Sequence, residues 1–109
     1  MTPQGDLEGC LQDSHWAGGL FGYFPTYTLG NVFGAQLFVK AQEELGDLSK
    51  PFSRGDFAGL LDWLRQKVYS EGSRYTGAKL IEHITGSSPD HVPLVKMLRQ
   101  KYSSIYRLQ

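Results

Sequence analysis

Cysteine is almost missing from this chain: Cys10 is the only one among 109 residues. A single thiol excludes an internal disulfide framework and a cysteine-based zinc knuckle within one chain, and it fits a reducing, cytoplasmic setting. An excess of charge is missing too, because 11 basic residues meet 11 acidic ones. That excludes recognition of nucleic acid by a net basic face. The first 15 residues hold Asp6, Glu8 and Asp13 but no lysine or arginine, so no cleavable signal peptide is expected. No run alternates with period two, so no sheet is expected. With 40% hydrophobic and 20% charged residues the chain can nevertheless build a core.

From Trp16 to Val39 there is no charged side chain over 24 residues, a length that would span a membrane. Gly18, Gly19, Gly22, Pro25, Thr26, Thr28, Asn31 and Gln36 dilute that stretch. It is far less apolar than the Leu/Ile/Val-rich segments that insert well, and no basic residue flanks its start. It reads as a buried helix of a larger protein, not as a membrane segment. Gly30 and Gly34 form a small-xxx-small pair of the kind that marks close helix approach.

The remaining signals are helical. Asp13 is placed to cap a short turn, and Pro25 occupies the favoured first position of a new helix. From there Leu29, Val32, Phe33, Leu37 and Ala41 step by three and four, and Gly46 supplies a stop. Asp56 is a natural cap for a helix with the stripe Phe57, Leu60, Leu61, Leu64 and Val68, ended by Gly72. Thr76 caps a short helix carrying Leu80, Ile81 and Ile84, with Gly86 after it. Ser88, Pro89 and Asp90 stand in the order of cap, first position and acidic first turn for a last helix with Val95, Leu98, Tyr102 and Ile105 on one face. The expectation is an all-α chain of about four helices, with residues 1–109 forming one helical segment.

Most catalytic patterns are absent. There is no phosphate-binding glycine loop, no G-x-S-x-G and no His-Glu-x-x-His. The three histidines, His15, His83 and His91, lack the close spacing that a zinc site needs. His83 and His91 read as helix-end or surface residues, and Cys10 has no neighbour that would activate a thiol. The distinctive stretch is Gly9 to Gln36, GCLQDSHWAGGLFGYFPTYTLGNVFGAQ, where glycines, aromatics and hydroxyls interleave behind an Asp and a His. Two readings of it stand. Its phenols are neutral donors that can stabilise charge developing on an oxygen, or they are the satisfied hydroxyls of a packed helix.

The residues Gln12-Asp13-Ser14-His15-Trp16 fit a Q-D-x-H-W signature. Phe21 to Tyr27 (FGYFPTY), Leu29-Gly30-Asn31 and Ala35-Gln36 follow in register, and Phe57, Trp63-Leu64, Gly72, Tyr75-Thr76, Thr85-Gly86, Lys101-Tyr102 and Tyr106 continue it. In these motifs, from about Leu7 to Tyr106, the chain closely resembles the carboxypeptidase Taq family of zinc metallocarboxypeptidases. One position departs, since Tyr69 stands where that family usually has a histidine.

The resemblance implies a C-terminal piece of a larger helical metallopeptidase fold. The zinc-binding His-Glu-x-x-His helix and the arginine motif for the substrate carboxylate would lie upstream. No cofactor is expected in this chain itself, and zinc or another divalent metal is expected in the complete enzyme. His15 is implied to line the cleft as a donor, with a buried histidine bonded to a backbone carbonyl as the alternative. Asp13 orients His15 or merely caps a helix. Tyr23 and Tyr27 are candidate catalytic donors toward peptide substrate, Tyr27 foremost, while Gln12 and Trp16 are expected to be structural. The implied partners are peptide substrate and the N-terminal zinc-binding portion. Self-association through the Phe21, Phe24, Phe33 and Phe38 region is also expected, because a fragment leaves such surface uncovered. A stand-alone binding or assembly module derived from the family is the alternative function, and a small membrane-associated protein is a third.

Overall fold

A computed structural model describes residues 2–9 and 12–107. Cys10 therefore lies outside the described residues, and with it the reading of its thiol. Among the described residues six α-helices follow in order: α1 (Ser14–Ala17), α2 (Pro25–Leu45), α3 (Ser49–Ser53), α4 (Ala58–Lys67), α5 (Gly77–Thr85) and α6 (Val92–Tyr106). Short 3-10 turns cover Asp6–Glu8 and Tyr69–Glu71, and no strand occurs among the described residues. The all-α expectation holds. Four helices are long, as expected, and the brief α1 and α3 add to them. The chain divides into two compact units, one ending at Gly30 and the other beginning at Asn31.

In the first unit the Asp13 carboxylate accepts from the His15 N–H at 2.7 Å and so starts α1. Gly19 and Gly22 then take φ of +70° and +80°, which reverse the chain at no steric cost to a side chain. Pro25 opens α2 because its missing N–H would be unpaired there anyway.

In the second unit Ala35, Ala41, Leu48, Trp63 and Ile81 are buried. Phe38, Phe52 and Phe57 form a run of ring contacts at 6.3 and 5.0 Å. The Gly86 stop is confirmed by its left-handed φ and its N–H bond to Glu82 O at 2.9 Å. The α4 stop is less abrupt, since a 3-10 turn carries the chain from Tyr69 to Gly72.

Several expectations are corrected. The stripe Val95, Leu98, Tyr102 and Ile105 of α6 is exposed, and α6 has no buried residue. On α4 it is Trp63 that is buried, while Phe57 and Leu61 are exposed. Gly30 and Gly34 mark no close approach, since a Cβ at either would meet nothing within 4 Å; the tight contact is at Gly77, where a Cβ would lie 3.0 Å from Phe33 Cε2. Ser88 does not cap α6. That helix starts at Val92, whose N–H is taken by Asp90 Oδ1 at 3.0 Å, with Pro93 in its first turn. Among the described residues no helix is long and apolar enough to cross a membrane.

Candidate functional site

The four residues singled out as site candidates, Asp13, His15, Tyr23 and Tyr27, come together within the first unit. Asp13 Oδ1 lies 2.9 Å from His15 Nδ1, and the opposite ring nitrogen, Nε2, lies 3.0 Å from the Tyr27 hydroxyl. The result is a chain of three polar groups: carboxylate, imidazole and phenol. The backbone arranges it economically. The carboxylate that caps α1 is fixed by the His15 N–H, and the same oxygen then meets the ring of that residue.

Aromatic rings hold the imidazole from the sides. Tyr23 stacks on it with centroids 5.3 Å apart and planes at 21°. Phe24 meets its edge at 5.2 Å, and Tyr27 crosses it nearly perpendicularly at 5.9 Å. The pair Tyr23 and Tyr27 is itself edge-to-face at 5.3 Å. The proline between the two tyrosines therefore does not separate them. Thr26 locks the corner by donating its hydroxyl to Tyr23 O at 2.6 Å.

Electrostatics follow from this geometry. The carboxyl of Asp13 is held below its ordinary value first by the backbone N–H of His15 and then by the ring beside it, against an opposing loss of hydration. The His15 side chain keeps about a quarter of its surface exposed, and Tyr23 and Tyr27 are about half exposed. Among the described residues the His15 ring is bonded to the Asp13 carboxylate and the Tyr27 hydroxyl, not to a backbone carbonyl.

Phe24 does not stand out as a site residue in the sequence, yet it contacts the ring as closely as either tyrosine. Its position immediately before the helix-opening Pro25 is the available signal, because a residue in that place is kept out of the helical conformation. Trp16 packs edge-to-face on Phe21 at 5.1 Å but is not buried, and Gln12 donates its amide to Leu7 O. Elsewhere His83 stacks on Tyr75 at 4.9 Å, and His91 is exposed beside Asp90.

No three His, Cys, Asp or Glu side chains converge as a metal site among the described residues.

Known proteins share both the sequence and the fold. The profile of the family described as carboxypeptidase Taq (M32) metallopeptidase matches residues 1–102. Thermostable carboxypeptidase 1 of Thermus thermophilus is 49% identical over 106 residues, covering 97% of this chain and 21% of the relative. Carboxypeptidase 1 of Bacillus subtilis is 44% identical over 108 residues, covering 99% and 22%. The crystal structure of a carboxypeptidase of this family from Deinococcus radiodurans R1 superposes with a TM-score of 0.87 at 40% identity, covering 99% of this chain and 22% of that one. The chain spans about a fifth of the length of the relatives it matches.

Proposed function

Because the chain belongs to the carboxypeptidase Taq family of metallopeptidases, we propose that it is the C-terminal, substrate-cleft portion of an enzyme that releases single residues from peptide C-termini. The observation that carries this reading is the Asp13–His15–Tyr27 chain, partly exposed and braced by Tyr23 and Phe24. Hydrolysis of a peptide bond passes through a tetrahedral species with negative charge on the former carbonyl oxygen, and preorganised donors lower the barrier to it. Tyr23, and Tyr27 when the His15 ring is protonated, supply phenolic O–H groups for that oxygen. His15 reaches it through Tyr27, whose hydroxyl occupies Nε2, and Asp13 offsets positive charge on the ring.

The metal, zinc or another divalent ion, belongs in this reading to the N-terminal portion. The isolated chain is accordingly inactive, and residues 1–109 are one segment of a cytoplasmic catalytic domain with no nucleic-acid or membrane partner. Complementation tests this. The N-terminal four-fifths of the Thermus thermophilus relative is mixed with this chain, and release of the C-terminal residue of a peptide is followed. Chelator-sensitive release that needs both pieces is the expected result. Activity of the N-terminal piece alone that this chain does not raise, or metal-dependent activity of this chain alone, overturns the reading.

A further inference from the structure

We infer that Asp13, acting through His15, sets the direction in which the Tyr27 hydroxyl donates its proton. The inference deepens the reading of Tyr27 as substrate-facing and rests on it for its meaning, but its test needs neither substrate nor metal. An ionised carboxylate only accepts hydrogen bonds. Asp13 Oδ1 sits 2.9 Å from His15 Nδ1, so Nδ1 keeps its proton whether the ring is neutral or charged. In the neutral ring Nε2 is then a bare lone pair. The Tyr27 hydroxyl, 3.0 Å away, has one proton and gives it to Nε2. Its outward side offers only oxygen lone pairs, which repel a developing oxyanion.

Adding one proton to the ring reverses the chain. Nε2 becomes a donor, the phenol oxygen accepts, and the phenol proton turns outward to where an oxyanion would form. No bond other than N–H forms, and the proton comes from water. Among the described residues the groups facing the ring are the carboxylate of Asp13, the phenols of Tyr23 and Tyr27, and the apolar Phe24. Asp13 is the one ion-pair partner of His15 among the described residues. Tyr23 presents its ring face to the imidazole, so the proton of its hydroxyl is not steered by Nε2. Asp13 is therefore a positioning residue: in the neutral ring it makes Tyr27 an acceptor outward, whereas the charged ring, a donor at both nitrogens, makes Tyr27 a donor outward.

Nitrogen-15 NMR of the histidine-labelled chain tests this at about pH 9, where imidazole is neutral. The variants His83→Gln and His91→Gln assign the three rings. The expected His15 spectrum has a protonated, pyrrole-like Nδ1 and a pyridine-like Nε2, the reverse of the tautomer that free histidine favours. Asp13→Ser keeps an oxygen to cap α1 but cannot reach the ring, and the pattern is expected to exchange. Tyr27→Phe removes the Nε2 partner and is expected to leave the pattern as it was. A wild-type ring protonated on Nε2 overturns the inference, as does an exchange in Tyr27→Phe with none in Asp13→Ser. If Asp13→Ser does not fold, the wild-type spectrum with Tyr27→Phe decides. A purely capping role for Asp13 would not move the tautomer.

Discussion

Gln36 accepts a hydrogen bond from the backbone N–H of Asp90 at 2.9 Å, across 54 positions of sequence. The other end of the same amide donates to Ser88 O at 3.0 Å and to Ser87 Oγ at 3.2 Å. Among the described residues Gln36 is the one buried polar side chain of the second unit, and these bonds are what make its burial tolerable. They join α2 to the segment between α5 and α6 and hold that segment in place.

Replacing Gln36 by Met keeps most of the volume but leaves the Asp90 N–H and the Ser88 carbonyl without their partners. The expected loss is about 1–3 kcal/mol of stability, the usual cost of orphaned groups of this kind. Urea unfolding of Gln36→Met against the wild-type chain measures it. An unchanged midpoint would show that water replaces the amide freely.

The same pair explains where the sequence could and could not be read. Helix content was legible because Pro25, Gly46, Gly72 and Gly86 act locally, through φ and missing donors, whatever surrounds them. The start of α6 was not, because Asp90, not Ser88, takes the Val92 N–H, and the Asp90 backbone is itself held by a glutamine 54 positions away, a contact that no local rule contains. Exposure of the α6 stripe was equally illegible: periodicity shows which residues share a face but not whether anything covers it. The site candidates were legible as separate residues, from the resemblance. Their connection through Asp13, His15 and Tyr27, and the part played by Phe24, required the turn made by Gly19 and Gly22.

Stability in acid should depend on Glu44. Its carboxylate accepts from the indole N–H of buried Trp63 at 2.9 Å and pairs with Lys67 at 3.3 Å. The indole bond is the main reason that its folded value lies below the ordinary 4.5, with Lys67 and Lys40 adding to it. A lowered folded value means that this contribution is fully present above the ordinary value and is lost as pH falls through the folded one. Thermal unfolding across the range from neutral down to acid should therefore show a steeper decline for wild type than for Glu44→Gln. Parallel curves would exclude a role for this carboxylate.

Self-association should follow from uncovered aromatic surface. Phe21 is 70% exposed and Phe24 44%, whereas Phe33 and Phe38 are half-buried, so the expected contact shifts toward the first two. Exposed apolar patches of this kind drive association. Light scattering of the chain at micromolar concentration should report dimers or larger species, and Phe21→Ser should reduce them. A wild-type monomer that binds no hydrophobic dye would refute the prediction.

The complemented enzyme offers the sharpest contrast between two positions that the family resemblance brings forward. His15 bonds Asp13 and Tyr27 at once, so His15→Ala breaks both contacts and leaves Tyr27 without the ring that orients its hydroxyl. Losing a fixed donor to an oxyanion usually slows turnover by about 10²–10³-fold, and the loss should fall on kcat more than on KM because it acts on the transition state. Tyr69 lies in the 3-10 turn after α4 and is 59% exposed. Returning that position to the family's usual residue, Tyr69→His, should change kcat by less than about twofold, since substitutions of exposed side chains are usually within about 0.5 kcal/mol. Steady-state kinetics on a peptide substrate compares the two variants directly. If Tyr69→His altered kcat as strongly as His15→Ala did, the turn after α4 would belong to the catalytic machinery, and the Asp13–His15–Tyr27 chain would share with it the stabilisation of the oxyanion.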